Sequence, residues 1–176
     1  MTDARKARIY LAVIALLVLV IAAMIYKFIV LGSTGGTTDG RTVVLIEPGE
    51  RTFVLGEMRG LLAGVQGISE ALAGDDVARV AKIARGLGMQ AETGAPPGLM
   101  GKLPLEFKKL GLSVHTDFDA IASSAEAKAA PKDLLRQMSG LMQKCIACHN
   151  AYQFNSPPAR SASLGVHLAA RPDWVW

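Results

Sequence analysis

The chain has 176 residues, 51% of them hydrophobic, and a formal charge of +4 from 19 basic and 15 acidic side chains. Both excesses are local. Of residues 9–31 only Lys27 is not hydrophobic, and the rest of the chain is about 44% hydrophobic, an ordinary value for a soluble domain. Arg5, Lys6 and Arg8 against Asp3, together with Lys27, supply all but one unit of the net charge, so the folded part has no basic excess and a nucleic-acid-binding role is excluded.

Residues 1–31 read as a cytoplasmic stub and membrane anchor. A helix over Ile9 to Leu31 is roughly 34 Å long, enough for the hydrocarbon core of a bilayer. The basic residues before it place the N-terminus in the cytoplasm and the remainder outside. This predicts a single-pass protein of the inner membrane with its domain on the periplasmic side. A cleaved signal peptide is the competing reading, but it needs a shorter apolar stretch and a small-x-small site, for which Ala22-Ala23-Met24-Ile25 is a poor match. Lys27, near the outer end, is placed to snorkel.

Residues 32–49 read as a flexible tether (GSTGGTTDG, Gly32 to Gly40) with a strand-like segment, Thr42 to Ile46, before Pro48-Gly49. A hairpin with Thr52 to Leu55 is one reading of that segment, and an apolar lead-in packed on the domain is the other.

Residues 50–155 carry helical periodicity. Met58, Leu61, Leu62, Val65, Ile68 and Leu72 define one amphipathic face ending at Gly74. Asp75 or Asp76 caps a second helix with Val77, Val80, Ile83 and Leu87. After the break at Pro96-Pro97, a third helix runs from about Pro104 to Ala125, with Leu110, Val114, Phe118 and Ile121 as its stripe. A fourth starts near Pro131 and carries Leu134, Met138, Leu141, Cys145, Cys148 and Tyr152. Four such helices with short connections predict an all-α, antiparallel four-helix bundle. Residues 156–176 form a tail ending Trp174-Val175-Trp176, a candidate interface or membrane-surface anchor.

Cys145-Ile146-Ala147-Cys148-His149 contains both cysteines of the chain. The Cys-x-x-Cys-His spacing is the attachment signature of c-type haem. On a helix the three residues share a face, so two thiols reach the two vinyl groups of one porphyrin while His149 is aimed at the iron. A zinc site needs four ligands. A thioredoxin-like pair belongs where a helix begins after a strand. A disulfide here would close too small a loop to stabilise much. One covalent haem c is therefore expected, held by Cys145, Cys148 and His149.

The CxxCH near the end of the last helix, with Tyr152 following, resembles the cytochrome c′ superfamily, as do LGEMRGLLAGVQGI (Leu55 to Ile68) and LPLEFKKLGLSVHTDFD (Leu103 to Asp119). The resemblance spans residues 50–155 and implies that Met58 occupies the distal position. It places the chain in the low-spin branch, with iron ligated by His149 and Met58. The high-spin branch has an apolar distal residue and binds nitric oxide or carbon monoxide; it commonly carries Arg or Lys where this chain has Gln153. Apart from the resemblance, a methionine on an apolar face is ordinarily core filler. Met138 and Met142 lie on the haem-bearing helix, Met89 and Met100 flank the Pro-rich loop, His115 is a rival ligand or a hydrogen-bonding core residue, and His167 lies in the tail.

The function these features predict is single-electron transfer by a membrane-anchored cytochrome, not an enzyme by itself. Its partners would be redox proteins of a respiratory chain, or the other subunits of a membrane oxidoreductase complex. A five-coordinate gas-binding cytochrome and a subunit serving mainly in assembly are the alternatives.

Overall fold

A computed structural model describes residues 3–36, 39–91 and 94–155. Among them are six α-helices: α1 (Asp3–Ile25), α2 (Pro48–Ala73), α3 (Val77–Arg85), α4 (Leu99–Lys102), α5 (Leu105–Glu126) and α6 (Pro131–Ala151). Three short strands join them: β1 (Thr34–Gly35), β2 (Thr42–Leu45) and β3 (Tyr152–Asn155). The chain is thus mostly helical, with a small sheet that an all-α expectation does not include. The tail, with His167 and both tryptophans, lies outside the described residues.

α1 continues into a π-helical stretch, Tyr26–Leu31. Arg5–Leu31 is long and apolar enough to cross a membrane, with a mean hydropathy of 2.9 and none of its side chains buried against the rest of the chain.

The domain helices begin and end where local chemistry requires. α2 opens with a capping box in which the Glu47 and Glu50 side chains accept from each other's backbone N–H, with Pro48 in the first turn. This overturns the hairpin reading: Thr52 to Leu55 is helix, and Pro48-Gly49 starts the helix instead of turning a strand. Asp76 caps α3 by accepting from the Arg79 N–H at 2.9 Å. Lys82 and Arg85 in the last turn of α3 complement its dipole. Pro131 occupies the first turn of α6.

Four helices lend residues to one core. Ile68 and Ala71 from α2 meet Val80 and Ala84 from α3, Phe118 and Ile121 from α5, and Leu134 and Leu141 from α6. A second cluster, Val44, Ile46, Leu99, Leu103 and Phe107, sits where the sheet meets α4 and the start of α5.

The sheet has the order β1-β2-β3. β2 pairs antiparallel with β1 (Thr34 opposite Val44) and parallel with β3 (Thr42 opposite Tyr152, Leu45 opposite Asn155). The strand predicted at 42–46 therefore exists, but its partners flank the domain at both ends of the chain. The Gly32 end of the predicted tether is fastened rather than loose. The Ser33 N–H donates to the Lys102 carbonyl at 2.6 Å, and the Leu45 N–H donates to Ser33 O at 2.8 Å. Gly32 makes this approach with φ +66°, and a Cβ there would collide with the backbone of Lys102, Leu103 and Pro104. From the apolar helix, Lys27 Nζ donates to Gly32 O at 2.9 Å, and Lys108 Nζ reaches back to Ile29 O at 3.0 Å. Pairing satisfies the main-chain groups of β2, whose Val43 and Val44 are buried.

Candidate functional site

Two residues of α6 anchor the site from opposite sides. Cys145 packs against the main core and Cys148 against the second cluster, so the CxxCH segment bridges the two. Both thiols are half-buried and neither is in a disulfide. Burial pushes the Cys145 thiol above its ordinary value, and burial with the neighbouring Cys145 does the same for Cys148. Neutral thiols in an apolar cleft are the reverse of what a thioredoxin-like nucleophile needs. The pair also lies in the last two turns of a 21-residue helix, away from its N-terminus. Among the described residues, no three His, Cys, Asp or Glu side chains gather as a metal-binding group, so the four-ligand set of a zinc site is not assembled there.

Between α2, α5 and α6 lies an apolar cavity of about 450 Å³, within the range of roughly 300–1,000 Å³ common for cofactor sites. α6 contributes Cys145, Cys148 and His149; α2 contributes Met58, Leu61 and Val65. All four sequence-predicted site residues thus line one cleft. On α6 the spacing from Leu141 through Cys145 to Cys148 and His149 holds them on one face. Met58 comes from the facing stripe of α2, which begins at Leu55. The rim keeps apolar side chains in solvent: Leu62 is 69% exposed and Ile146 59%.

A second cavity of about 280 Å³ adjoins it and shares Leu55, Met58, Phe107, Cys148 and His149. Its character is different, because Arg41, Arg51 and Gln153 line it. Arg41 Nε and Nη2 donate to Asp39 Oδ2 at 2.8 and 2.6 Å, and Nη2 also donates to Gln153 Oε1 at 3.3 Å. Beneath it, Tyr152 and Phe154 meet the Phe107 ring edge-to-face, at 5.3 and 5.4 Å between centroids. Tyr152 is therefore a packed aromatic at the site's floor, and burial raises its phenol.

The rival ligands fall elsewhere or are engaged. His115 is buried beside the cavity, with Nδ1 2.8 Å from Leu87 O. Met138 is in the core. Met142 lies on the cavity wall and is 43% exposed, while Met89 and Met100 are exposed and do not line either cavity.

The residues present fit a covalently held tetrapyrrole. The cleft has an apolar wall, two neutral thiols one helical turn apart and, among its lining residues, a histidine and a thioether. Sequence reasoning missed Arg41 and Arg51. Arg51 was within reach, since it precedes Met58 by seven residues and so shares its helix face. Arg41 was not, because only the β2–β3 pairing carries it to the site.

Comparison with family models, with characterised proteins and with solved structures gives no match to this chain.

Proposed function

We propose that the protein is a membrane-anchored c-type cytochrome of the low-spin cytochrome c′ type that passes single electrons. In this reading α2, α3, α5 and α6 form the antiparallel four-helix bundle and α1 is its single transmembrane helix. The inner membrane holds the anchor, and the haem domain lies on the periplasmic side. One observation carries the proposal: a single apolar cleft is lined by both thiols of the CxxCH segment, by His149 and by Met58.

Haem iron held by a histidine and a thioether has a raised potential and cycles between ferrous and ferric forms. The chain's residues determine how that chemistry is used. Cys145 and Cys148, each placed by packing against a different core cluster, would hold the ring by adding their thiols across its two vinyl groups. His149 and Met58 would hold the iron between them and leave no position for a substrate, which favours electron transfer over gas binding. Leu61 and Val65 would help keep water from the ring, and the exposed rim at Leu62 and Ile146 is where a redox partner would approach its edge. The anchor confines the search for partners, either respiratory-chain proteins or subunits of a membrane complex, to the membrane surface, which raises their effective concentration.

The test is expression of the full chain in a host that attaches c-type haem, followed by optical spectra of the detergent-purified protein. Sharp low-spin bands on reduction, unchanged under carbon monoxide, are expected. A broad high-spin spectrum with rapid ligand uptake moves the protein to the gas-binding class; absence of covalent haem removes the reading altogether.

A further inference from the structure

The two cavities adjoin through shared lining residues: the first is apolar over most of its wall, with Arg59 and Lys144 among its lining, and the second carries Arg41 and Arg51 beside His149. Neither cavity has an aspartate or glutamate among its lining residues. A ligand matched to the adjoining cavities is apolar over most of its area and anionic along one side. Resting on the cytochrome reading, we propose that Arg41 and Arg51 are cofactor-binding residues that receive the two carboxylates of the haem.

The two arginines arrive by different routes. Arg51 stands two turns before Met58 on the same face of α2 and lines the cavity that holds His149. Among the described residues it makes no ion pair. Arg41 lies outside the haem domain as a bundle, at the entrance to β2. Asp39 grips its Nε and Nη2, Gln153 accepts from Nη2, and these bonds leave Nη1 outside them. Gln153 follows directly on Tyr152 in β3, so the strand that continues the CxxCH helix also positions Arg41. A guanidinium presents a planar fork of N–H donors that matches a carboxylate in geometry and charge. Two guanidinium groups against one carboxylate, that of Asp39, leave positive charge beside an apolar chamber. An anionic edge on the ligand pairs with it through charge-assisted hydrogen bonds.

The assignment has an electrochemical consequence. Positive charge at the ring edge favours the ferrous state, so removing it lowers the potential. The test uses the full-length holoprotein in detergent and compares Arg51→Gln, Arg41→Gln and their combination with Lys132→Gln, an exposed change in the first turn of α6. Circular dichroism confirms matched folding. Each arginine variant is expected to lower the equilibrium constant for haem reduction by about three- to tenfold, tenfold being about 59 mV for one electron. The combination should lower it further, Lys132→Gln should leave it unchanged, and Arg51→Lys should recover most of the shift.

Arginine variants that keep their haem and match Lys132→Gln overturn the assignment while leaving the cytochrome reading intact. A wild-type potential that moves on titration with inorganic phosphate, with Arg51→Gln insensitive, overturns it in favour of a free anion in the cleft. A wild-type chain without covalent haem overturns the cytochrome reading and the assignment with it.

Discussion

The apolar helix and the cleft both leave hydrophobic surface uncovered, and they differ in shape. Along Arg5–Leu31 no side chain is buried, Leu19 for instance being 68% exposed, and the surface is convex and nearly uniform. At the cleft the uncovered surface is concave, bounded by two thiols, two histidines and several basic side chains. Burying either is favourable by roughly 25 cal/mol per Å² of apolar surface, but a uniform convex surface accepts any lipid. The concave one, with thiols and histidine at fixed positions, is selective in the proposed reading. The comparison separates apolar content that encodes location from apolar content that encodes chemistry.

The largest effects come from removing one region while keeping the other. Replacing Cys145 and Cys148 together by alanine is expected to abolish covalently retained haem, read as loss of the haem stain on a denaturing gel, while the protein stays in the membrane fraction. Deleting residues 1–31 is expected to do the opposite: the chain leaves the membrane fraction with its low-spin spectrum intact. If the cysteine variant keeps its stain, or the truncated chain loses its spectrum, the two regions are not separable as described. The second outcome has a specific route, because Lys108 of α5 donates to Ile29 O near the helix's C-terminal end.

Met58→Leu sharpens the comparison inside the cleft. The exchange nearly conserves volume, so stability should change by less than about 1.5 kcal/mol. Loss of the thioether is expected to convert the iron to a five-coordinate form that takes up carbon monoxide. A variant that stays six-coordinate excludes Met58 as the ligand and turns attention to His115, which also lines the cavity and could keep its Nδ1 approach to Leu87 O while Nε2 served as the ligand.

The joint between the regions gives a smaller effect. Gly32→Ala forces a side chain into the left-handed region and against the backbone of Lys102, Leu103 and Pro104. A cost of about 1–3 kcal/mol is expected, measured as a lowered thermal midpoint with an unchanged haem spectrum. An unaltered midpoint would show the segment to be as loose as its composition suggests.

That joint also shows what the sequence could and could not express. The helices were legible because their signals are local: a 3.6-residue stripe, Pro131 in a first turn, Asp76 as a cap, Gly74 as a stop. The CxxCH segment was legible because its chemistry is contained in five consecutive residues. The sheet was not. β2 pairs with β3 from about 110 residues further along the chain, and no local pattern in TVVLI names YQFN as its neighbour. The capping box at Glu47 and Glu50 also converted an apparent turn into a helix start, where Pro48-Gly49 alone read as a break. Arg41 was lost for the same reason: it reaches the cleft only through that pairing. Charge counted along the chain showed a near-neutral domain, whereas the charged residues that line the cleft are all basic, Arg41 and Lys144 among them paired with Asp39 and Asp117 behind.

The smallest effect concerns Glu50, which joins the start of α2 to the corner holding Gly32. It is buried, and Lys102 Nζ donates to both its oxygens at 2.9 and 2.8 Å. Burial pushes its carboxyl up, but the Lys102 hydrogen bonds and the Glu47 N–H outweigh burial and hold it below its ordinary value. A carboxylate depressed on folding binds its proton more readily in the unfolded chain. Its stabilisation is therefore complete above the ordinary carboxylate value and lost as pH falls through the depressed one. Glu50→Gln should remove that part of the acid dependence while leaving the neutral-pH haem spectrum unchanged. Because burial subtracts from what Lys102 supplies, the difference should be the slightest in the series, visible only as a flatter acid limb in denaturation midpoints followed downward from the ordinary carboxylate range. An identical acid limb in both proteins would show that the lysine bridge holds the corner by geometry alone.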